Sequence, residues 1–209
     1  MTESLLKDES AARDFCRSFA DAAAMERLER FAELLLEENQ KQNLISRKSE
    51  ESLWLRHMAD SAQLLNHVPR ETSGPWLDLG TGAGFPGVVI AALRPEMRVI
   101  LVESRARRVS FLEGVCEALN LGNCSVEGKR LELVAPFPAL VISARAFAPL
   151  PKLLSLSASF STSSTTYLLP KGRSAAQECA ELPAKRRRMF HVEQSITDAD
   201  AGIIVGKGG

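Results

Sequence analysis

Apolar side chains recur at helical spacing through most of the first 68 residues. Between residues 10 and 40 the apolar positions alternate with charged ones, and they include Phe15, Phe19, Leu28, Phe31, Leu35 and Leu36. This period predicts an amphipathic helical region. Residues 43–46 interrupt the pattern, and a second helix is predicted over about residues 49–68. We expect Trp54 to lie in the hydrophobic core of this helical region. Residues 69–75 form a linker, so we predict an N-terminal helical cap over residues 1–75.

From residue 76 onward, short apolar runs alternate with helical patterns. The apolar runs predict strands at residues 76–79, 99–102, 124–127, 140–143, 165–169, 189–194 and 203–205. Helices are predicted between them at residues 86–93, 106–119, 149–160 and 174–181. Strands and helices in this order are typical of a mostly parallel sheet that is covered on both faces. We therefore predict an α/β domain over residues 76–209.

Composition sets limits on the class of protein. The 209 residues are 45% hydrophobic, and 26 basic side chains balance 26 acidic ones, so charge alone does not indicate a nucleic-acid partner. The charged segment around Lys7, Asp8 and Glu9 lacks the apolar core of a signal peptide, and no apolar run reaches the ~18 residues that a membrane span needs. Scattered cysteines without ligand spacing favour a reduced, cytoplasmic protein with no metal site; they are Cys16, Cys116, Cys124 and Cys179.

A glycine-rich turn follows the first predicted strand, in the run Leu-Asp-Leu-Gly-Thr-Gly-Ala-Gly-Phe-Pro-Gly over residues 77–87. Gly80, Gly82 and Gly84 allow the backbone to turn sharply and to approach a ligand closely. Pro86 suits the first position of a helix, because its missing N–H would have no partner there. We expect the free N–H groups of this helix to face a negatively charged group.

Two carboxylates help to identify the ligand of this turn. Residues 82–87 match the dinucleotide fingerprint G-x-G-x-x-G, but Gly80 extends the glycines to G-x-G-x-G, which is typical of S-adenosylmethionine (AdoMet) sites. We expect Asp78, at the end of the strand, to reach the ammonium group of AdoMet; it would repel the pyrophosphate of a dinucleotide. Glu103, at the end of the second strand, suits a ribose diol in either ligand. AdoMet is therefore favoured, and a turn without a ligand remains a further alternative.

The segment after the fourth predicted strand narrows the reaction. It has no cysteine nucleophile, which methylation of a pyrimidine ring carbon usually needs, and no Asn/Asp-Pro-Pro-aromatic motif of the kind used on exocyclic amines. Arg145 and Phe147 remain at the carboxyl end of this strand, where an aromatic ring can stack on a base and a cation can bind phosphate or a base edge. Guanine N7 has a free lone pair and loses no proton on methylation. Its methylation needs alignment more than a general base, so we assign positioning roles to both residues.

Motifs in chain order across roughly residues 40–173 carry a resemblance to a known family. They are Asn43-Leu44, Arg56-His57 with Asp60-Ser61, the glycine turn at 77–87, Arg107-Arg108-Val109-Ser110-Phe111-Leu112, Ala144-Arg145-Ala146-Phe147-Ala148-Pro149-Leu150 and Pro170-Lys171-Gly172. The sequence resembles the bacterial ribosomal RNA small subunit methyltransferase G family, also called glucose-inhibited division protein B.

This resemblance implies a fold, an activity and a set of site residues. The implied fold is the Rossmann-like class I AdoMet-dependent methyltransferase, with a mostly parallel seven-stranded sheet, and the implied activity is methylation of N7 of one guanosine in 16S rRNA. Gly80 and Phe85 are then expected to line the AdoMet pocket, Leu131 and Glu132 to flank the adenine, and Arg145 to belong to the cofactor site. Leu140 departs from the family pattern, which often has Asp there. We further expect a cytoplasmic monomer without membrane association.

Several residues keep two interpretations. For His57 a hydrogen-bonded structural role is favoured over a role in the site, because Arg56 and Asp60 are its neighbours on the helix. Lys171 could face RNA or be a solvated lysine at a turn, and the basic run from Lys185 to Arg188 could bind phosphate or be a solvated face. Two other functions remain open, an NAD(P)-dependent oxidoreductase and a non-catalytic module that binds AdoMet or RNA.

Overall fold

A seven-stranded sheet forms the centre of the computed structural model, which describes residues 5–209. Its strands are β1 Trp76–Leu79, β2 Val99–Val102, β3 Cys124–Glu127, β4 Val141–Ala144, β5 Thr166–Lys171, β6 Phe190–Gln194 and β7 Gly202–Lys207. They are ordered β3-β2-β1-β4-β5-β7-β6. The first five pair in parallel, whereas β7 is antiparallel to both β5 and β6. This confirms the mostly parallel sheet predicted from the alternating pattern.

Helices precede the sheet and connect its strands. They are α1 Glu9–Arg17, α2 Ala22–Asn39, α3 Arg47–Glu50, α4 Asp60–Ala62, α5 Gly87–Leu93, α6 Ala106–Ala118, α7 Leu150–Leu156, α8 Ala175–Ala180 and α9 Ala184–Arg187. A π-helical turn over Trp54–Ala59 precedes α4, and 3-10 turns lie at Gln63–His67, Leu131–Leu133 and Ala158–Phe160. Along residues 5–209 no helix combines the length and the apolar character that crossing a membrane requires.

The two faces of the sheet bury separate hydrophobic clusters. Successive side chains of a strand point to opposite faces, so Trp76 joins the cluster with α5 and the cap helices while Leu77 joins the cluster with α7 and α8. The cap contributes Leu28 and Phe31 of α2 to the first cluster. The helical segment before β1 is therefore packed directly on one face of the sheet. The division into domains at residue 75 stays a prediction.

Local differences from the predicted elements have identifiable causes. The predicted helix over residues 10–40 is two helices, because Asp21 leaves the helical conformation and caps α2 by accepting a hydrogen bond from the Ala24 N–H at 2.8 Å. The predicted helix over residues 49–68 is present as α3 and a run of π, α and 3-10 turns. Helix α5 begins at Gly87, one residue later than the helix start expected at Pro86. Trp54 is 2% exposed, which confirms its place in the core.

Candidate active site

Two clefts lie at the carboxyl ends of the parallel strands, and the loop after β4 forms the wall between them. The smaller has a volume of about 330 Å³ and the larger about 820 Å³. Ala146, Phe147 and Ala148 line both. Ala146 has φ = 54°, which a non-glycine residue rarely adopts and which holds the loop in a strained turn. Ligands in the two clefts would meet at this loop.

The smaller cleft gathers four of the nine residues predicted to bind a cofactor, together with Phe147. Gly80 follows β1, Glu103 follows β2, Leu131 and Glu132 follow β3, and Phe147 follows β4; all five line this cleft. Gly80 has φ = +62°, and a Cβ built there would lie 2.6 Å from Phe147 Cδ2. Position 80 therefore requires glycine for its backbone conformation and for the close approach of the phenyl ring.

Glu103 is held in a position that suits a ribose diol. Its Oε1 accepts hydrogen bonds from the N–H groups of Ser104 at 2.7 Å and Arg105 at 2.9 Å. Its Oε2 is 3.7 Å from Arg108 Nη1, which is beyond ordinary hydrogen-bond length. The carboxylate is thus fixed through one oxygen, and the other keeps lone pairs for hydroxyl donors. The residues present fit the ribose end of AdoMet.

Basic side chains surround the smaller cleft, and sequence reasoning did not single them out as a set. Its lining includes Arg105, Arg108, Lys129, Arg130 and Lys152. They come from the segments that follow β2 and β3 and from α7, so only the fold brings them together. We call them the basic rim; Arg108 is half-buried and the other four are exposed.

Asp78 is buried and lines neither cleft, so its expected contact with a ligand's ammonium group stays a prediction. The residue is 0% exposed, and its two carboxylate oxygens accept hydrogen bonds from Ser143 Oγ at 2.7 Å and from the Gly87 N–H at 3.0 Å. Ser143 Oγ also accepts a hydrogen bond from Trp76 Nε1 at 2.7 Å. Burial raises the pKa of Asp78, and these hydrogen bonds act in the opposite direction.

This network also explains the start of α5. The N–H of its first residue, Gly87, donates to Asp78, so the negatively charged group expected at this helix terminus belongs to the protein itself. Gly87 has room only for hydrogen, since a Cβ there would lie 2.2 Å from Leu101 Cδ2 and 2.9 Å from Asp78 Oδ2.

Gly82 and Gly84 are not among the residues that line either cleft. Both have positive φ, +59° and +103° respectively. A Cβ on Gly84 would lie 3.0 Å from Phe31 Cζ, so this glycine lets α2 of the cap approach the turn. A Cβ on Gly82 would lie 3.5 Å from Arg108 Nη1. A direct cofactor contact of these two glycines stays a prediction.

The larger cleft contains Arg145 on the wall after β4. Its Nη1 donates to the carbonyl oxygen of Arg56 at 3.3 Å and lies 3.5 Å from Asp60 Oδ2, and both distances are long for a charged donor. Its guanidinium carbon is 5.1 Å from the centre of the Phe85 ring, within cation–π range. Burial lowers the pKa of Arg145, and Asp60 partly offsets that effect. The guanidinium is thus held loosely enough to bind a ligand.

Phe85 is 2% exposed and packs behind this cleft, against Phe31 of the cap at a centroid distance of 5.2 Å. It stacks on His57, with ring centroids 4.9 Å apart and an interplanar angle of 20°. Phe85 is not among the residues lining the smaller cleft, so its contact with AdoMet stays a prediction.

His57 does not have the hydrogen-bonded structural role that its sequence neighbours favoured. Both ring nitrogens are buried, and neither has a hydrogen-bond partner in the part of the chain that the structure describes. Asp60, the expected partner, accepts from Gln63 Nε2 at 2.8 Å and from Thr197 Oγ1 at 2.9 Å instead. Burial, followed by the charges of Arg145 and Arg56, lowers the pKa of His57 to about 3, so its ring is neutral at physiological pH.

Lys171 is not a solvated lysine; it lines the larger cleft, and its contact with RNA stays a prediction. Its side chain is 10% exposed, and its Nζ donates to Glu178 Oε2 at 2.8 Å and to the Ala148 carbonyl oxygen at 3.1 Å. Glu178 Oε2 also accepts from the Leu150 N–H at 2.9 Å. This pair ties the end of β5 and helix α8 to the loop that separates the clefts. Sequence reasoning missed Glu178, which lies seven residues after Lys171 with no distinguishing motif.

The basic run from Lys185 to Arg188 lies in and after α9, is largely exposed, and lines neither cleft. Its contact with phosphate stays a prediction. Arg56, by contrast, joins the cap to the segment before β7, through a 2.7 Å contact between its Nη1 and Asp198 Oδ2. Across residues 5–209, no group of three or more His, Cys, Asp or Glu side chains is arranged to hold a metal ion.

The fold is that of a Rossmann-like class I methyltransferase. It is defined by the strand order with an antiparallel β7 and by the cleft beside Gly80 and Glu103. Solved structures share the fold at low sequence identity. A predicted O-methyltransferase from Agrobacterium tumefaciens is 18% identical with a TM-score of 0.58, over 72% of this chain and 81% of that one. MtNAS in complex with S-adenosylmethionine is 16% identical with a TM-score of 0.57, over 95% of this chain and 77% of that one.

The family model GidB, described as rRNA small subunit methyltransferase G, matches residues 24–202. A protein named ribosomal RNA small subunit methyltransferase G from Erythrobacter litoralis is 57% identical over 204 residues, which cover 98% of each chain. The chain therefore belongs to the rRNA small subunit methyltransferase G family, as its motifs predicted.

Proposed function

We propose that this protein transfers the methyl group of AdoMet to N7 of one guanosine in 16S rRNA. The observation that carries the proposal is the pair of clefts that meet at Phe147. One cleft fits the nucleoside part of a cofactor, and the other has room for a purine base and its ribose. Membership of the family supports the same reaction.

The smaller cleft would hold the adenosine part of the cofactor. Leu131 is the apolar surface for the adenine, Glu132 lies at its edge, and Glu103 accepts from the ribose hydroxyls. Asp78 acts indirectly, because its hydrogen bonds to Ser143 and Gly87 fix the glycine turn from behind.

Bound AdoMet supplies an electrophilic methyl group, whose bond to sulfur breaks as the bond to guanine N7 forms. No proton leaves the base, so the protein needs no general base, and its task is alignment. Phe147 lines both clefts and provides an aromatic face for the incoming base. Arg145, whose protein contacts are long, binds an oxygen of the substrate in the larger cleft.

The basic rim supports an RNA substrate. AdoMet carries a net positive charge and a single carboxylate, so five cations are more than its recognition needs, even with Lys129 paired to Glu127 and Arg108 near Glu103. They suit the phosphates of a polynucleotide next to the reacting base. We further propose that the enzyme acts as a cytoplasmic monomer on the small ribosomal subunit or its assembly intermediate. The oxidoreductase alternative loses support because the chain belongs to a methyltransferase family; the close packing of Gly87 against Leu101 and Asp78 fits either kind of site.

Incubation of the protein with methyl-labelled AdoMet and undermethylated small subunits tests the proposal. We expect label in 7-methylguanosine at one position of 16S rRNA after nuclease digestion and chromatography. Calorimetry with AdoMet and with NAD(P)H, run in parallel, establishes which ligand the protein binds. Binding of AdoMet without label in guanine would contradict catalysis, and preferential binding of the dinucleotide would contradict the cofactor assignment.

A further inference from the structure

His57 stands out because both nitrogens of its ring are buried and no described residue of the chain forms a hydrogen bond with them. The ring itself stacks closely on Phe85. A buried imidazole without partners is unfavourable, and replacement by an apolar ring of similar shape would remove that penalty. Such a group suggests a partner that arrives from outside the chain.

The local backbone presents His57 to the larger cleft. It lies in the π-helical turn Trp54–Ala59, and irregular turns of this kind are frequent at functional sites. Glu9 holds the start of this turn by accepting from the N–H groups of Trp54 at 2.9 Å and Leu55 at 2.8 Å. His57 is one of the residues that line the cleft, from the cap side, although both nitrogens of its ring are buried.

Neighbouring polar groups do not satisfy His57, because they are engaged elsewhere. Asp60 accepts from Gln63 and Thr197, and Arg56 pairs with Asp198. The exception is Arg145, whose contacts of 3.3 Å and 3.5 Å permit movement. A small displacement of this guanidinium by a substrate would give the substrate access to the imidazole.

Guanine offers a matching acceptor. Its O6 is adjacent to N7, so a base aligned for methylation at N7 directs O6 to the same side of the cleft. A neutral imidazole carries one N–H donor, which can bind O6. Its neutrality also suits the reaction, because methylation at N7 leaves a positive charge on the base, which an imidazolium would oppose.

On these grounds, and resting on the function proposed above, we propose that His57 donates a hydrogen bond to O6 of the target guanine. It is a positioning and specificity residue that orients N7 toward the methyl group and discriminates against purines without a 6-oxo group. Its stack on Phe85 links the orientation of the base to the glycine turn of the cofactor cleft.

The test combines enzyme variants with base analogues at the methylated position of reconstituted small subunits. The bases are guanine, hypoxanthine, which keeps O6 but lacks the 2-amino group, and 2-aminopurine, which lacks O6. Four enzymes are compared: the wild type, His57→Phe, His57→Gln and His191→Phe. His57→Phe keeps an aromatic stack and His57→Gln keeps a hydrogen-bond donor. His191→Phe is the control at an exposed position. Single-turnover methyl transfer and AdoMet affinity are measured for each combination.

We expect His57→Phe to lower the rate on guanine and hypoxanthine by at least about tenfold, since it removes one hydrogen bond of the transition state. On 2-aminopurine, His57→Phe and the wild type should transfer the methyl group at equal rates. Comparing the two enzymes on the same base corrects for the altered nucleophilicity of 2-aminopurine. AdoMet affinity should be unchanged, His57→Gln should recover part of the rate, and His191→Phe should match the wild type. His57→Phe should also unfold at the same or a higher temperature.

Three results would overturn the inference while leaving the proposed function intact. Equal losses with all three bases would show that His57 does not bind O6, and weaker AdoMet binding by His57→Phe would assign the imidazole to the cofactor. A lower unfolding temperature of His57→Phe, with the same dependence of the transfer rate on the base as in the wild type, would show that His57 has a structural role. Failure of the wild type to methylate guanine would instead contradict the function itself.

Discussion

Asp78→Asn separates an indirect role of this carboxylate from a direct contact with the cofactor. The substitution keeps the shape of the side chain but replaces one acceptor oxygen with an NH2 donor. Asp78 accepts from both Ser143 and Gly87, so the amide necessarily faces one of these donors with its own nitrogen. If it faces Gly87, a buried backbone N–H loses its acceptor; if it faces Ser143, the hydroxyl hydrogen loses its acceptor.

The expected magnitude follows from the burial of this network. One unsatisfied buried donor costs about 1–3 kcal/mol. We therefore expect Asp78→Asn to lower the free energy of unfolding by about 2 kcal/mol, equivalent to about 4–8 °C in Tm for a chain of this size. Ser143→Ala is the matched variant, because it removes the Ser143–Asp78 hydrogen bond without altering the carboxylate; it also removes the acceptor of Trp76 Nε1.

Urea unfolding and AdoMet calorimetry on both variants complete the experiment. An indirect role predicts similar losses of stability and similar, small changes in AdoMet Kd for the two variants. A direct salt bridge to the ammonium group predicts a loss of affinity of about 30-fold or more, corresponding to about 2 kcal/mol, in Asp78→Asn alone. That result, with normal stability, would refute the network described here.

Four further predictions address other parts of the site. As pH falls from 7.5 to 5, the wild type should lose about 1–2 kcal/mol of stability relative to His57→Phe. The reason is that His57 in the unfolded chain binds a proton near pH 6.5, whereas in the folded protein its pKa is about 3 and it stays neutral. Urea titrations at each pH measure the difference. Gly82→Val should lower the free energy of unfolding by about 1–2 kcal/mol, since position 82 has φ = +59°. It should also abolish AdoMet binding by filling the space beside Arg108. Urea unfolding measures the first effect and calorimetry the second. Glu178→Gln should cost about 3 kcal/mol in urea unfolding, because it leaves Lys171 buried without its counter-ion. Arg145→Ala should slow methyl transfer by about 30-fold or more, or about 2 kcal/mol, in single-turnover assays, with an unchanged Tm.

Each of these expectations can fail in a distinct way. A stability difference between wild type and His57→Phe that is independent of pH would show that the folded imidazole titrates normally. Retained AdoMet affinity in Gly82→Val would contradict the placement of the cofactor beside the turn. Unchanged stability of Glu178→Gln would mean that its pair with Lys171 is solvated, and near-normal transfer by Arg145→Ala would leave that arginine a structural residue.

Local sequence patterns were sufficient for most of the sheet. Strands such as Val99–Val102 are short continuous apolar runs, and their alternation with helices indicated parallel pairing. The glycines at 80, 82 and 84 predicted the sharp turn, and the structure confirms positive φ at all three. These features depend on residues that are close together in the chain.

The features that were missed depend on which strands and helices become neighbours. The hydrogen bond between Asp78 and Ser143 was not predicted, because the two residues are 65 positions apart and become adjacent only through the pairing of β1 with β4. The hydrogen-bonded role expected of His57 failed for a similar reason, since Thr197 occupies Asp60 from the far end of the chain. No local pattern specifies such contacts between distant segments.

The structure of the complex with AdoMet tests the central claim most directly. We predict the adenosine part in the smaller cleft, with the ribose hydroxyls on Glu103, the adenine between Leu131 and Glu132, and the methyl group directed past Phe147 into the larger cleft. AdoMet bound in the larger cleft, or with its methyl group directed away from that cleft, would contradict the account.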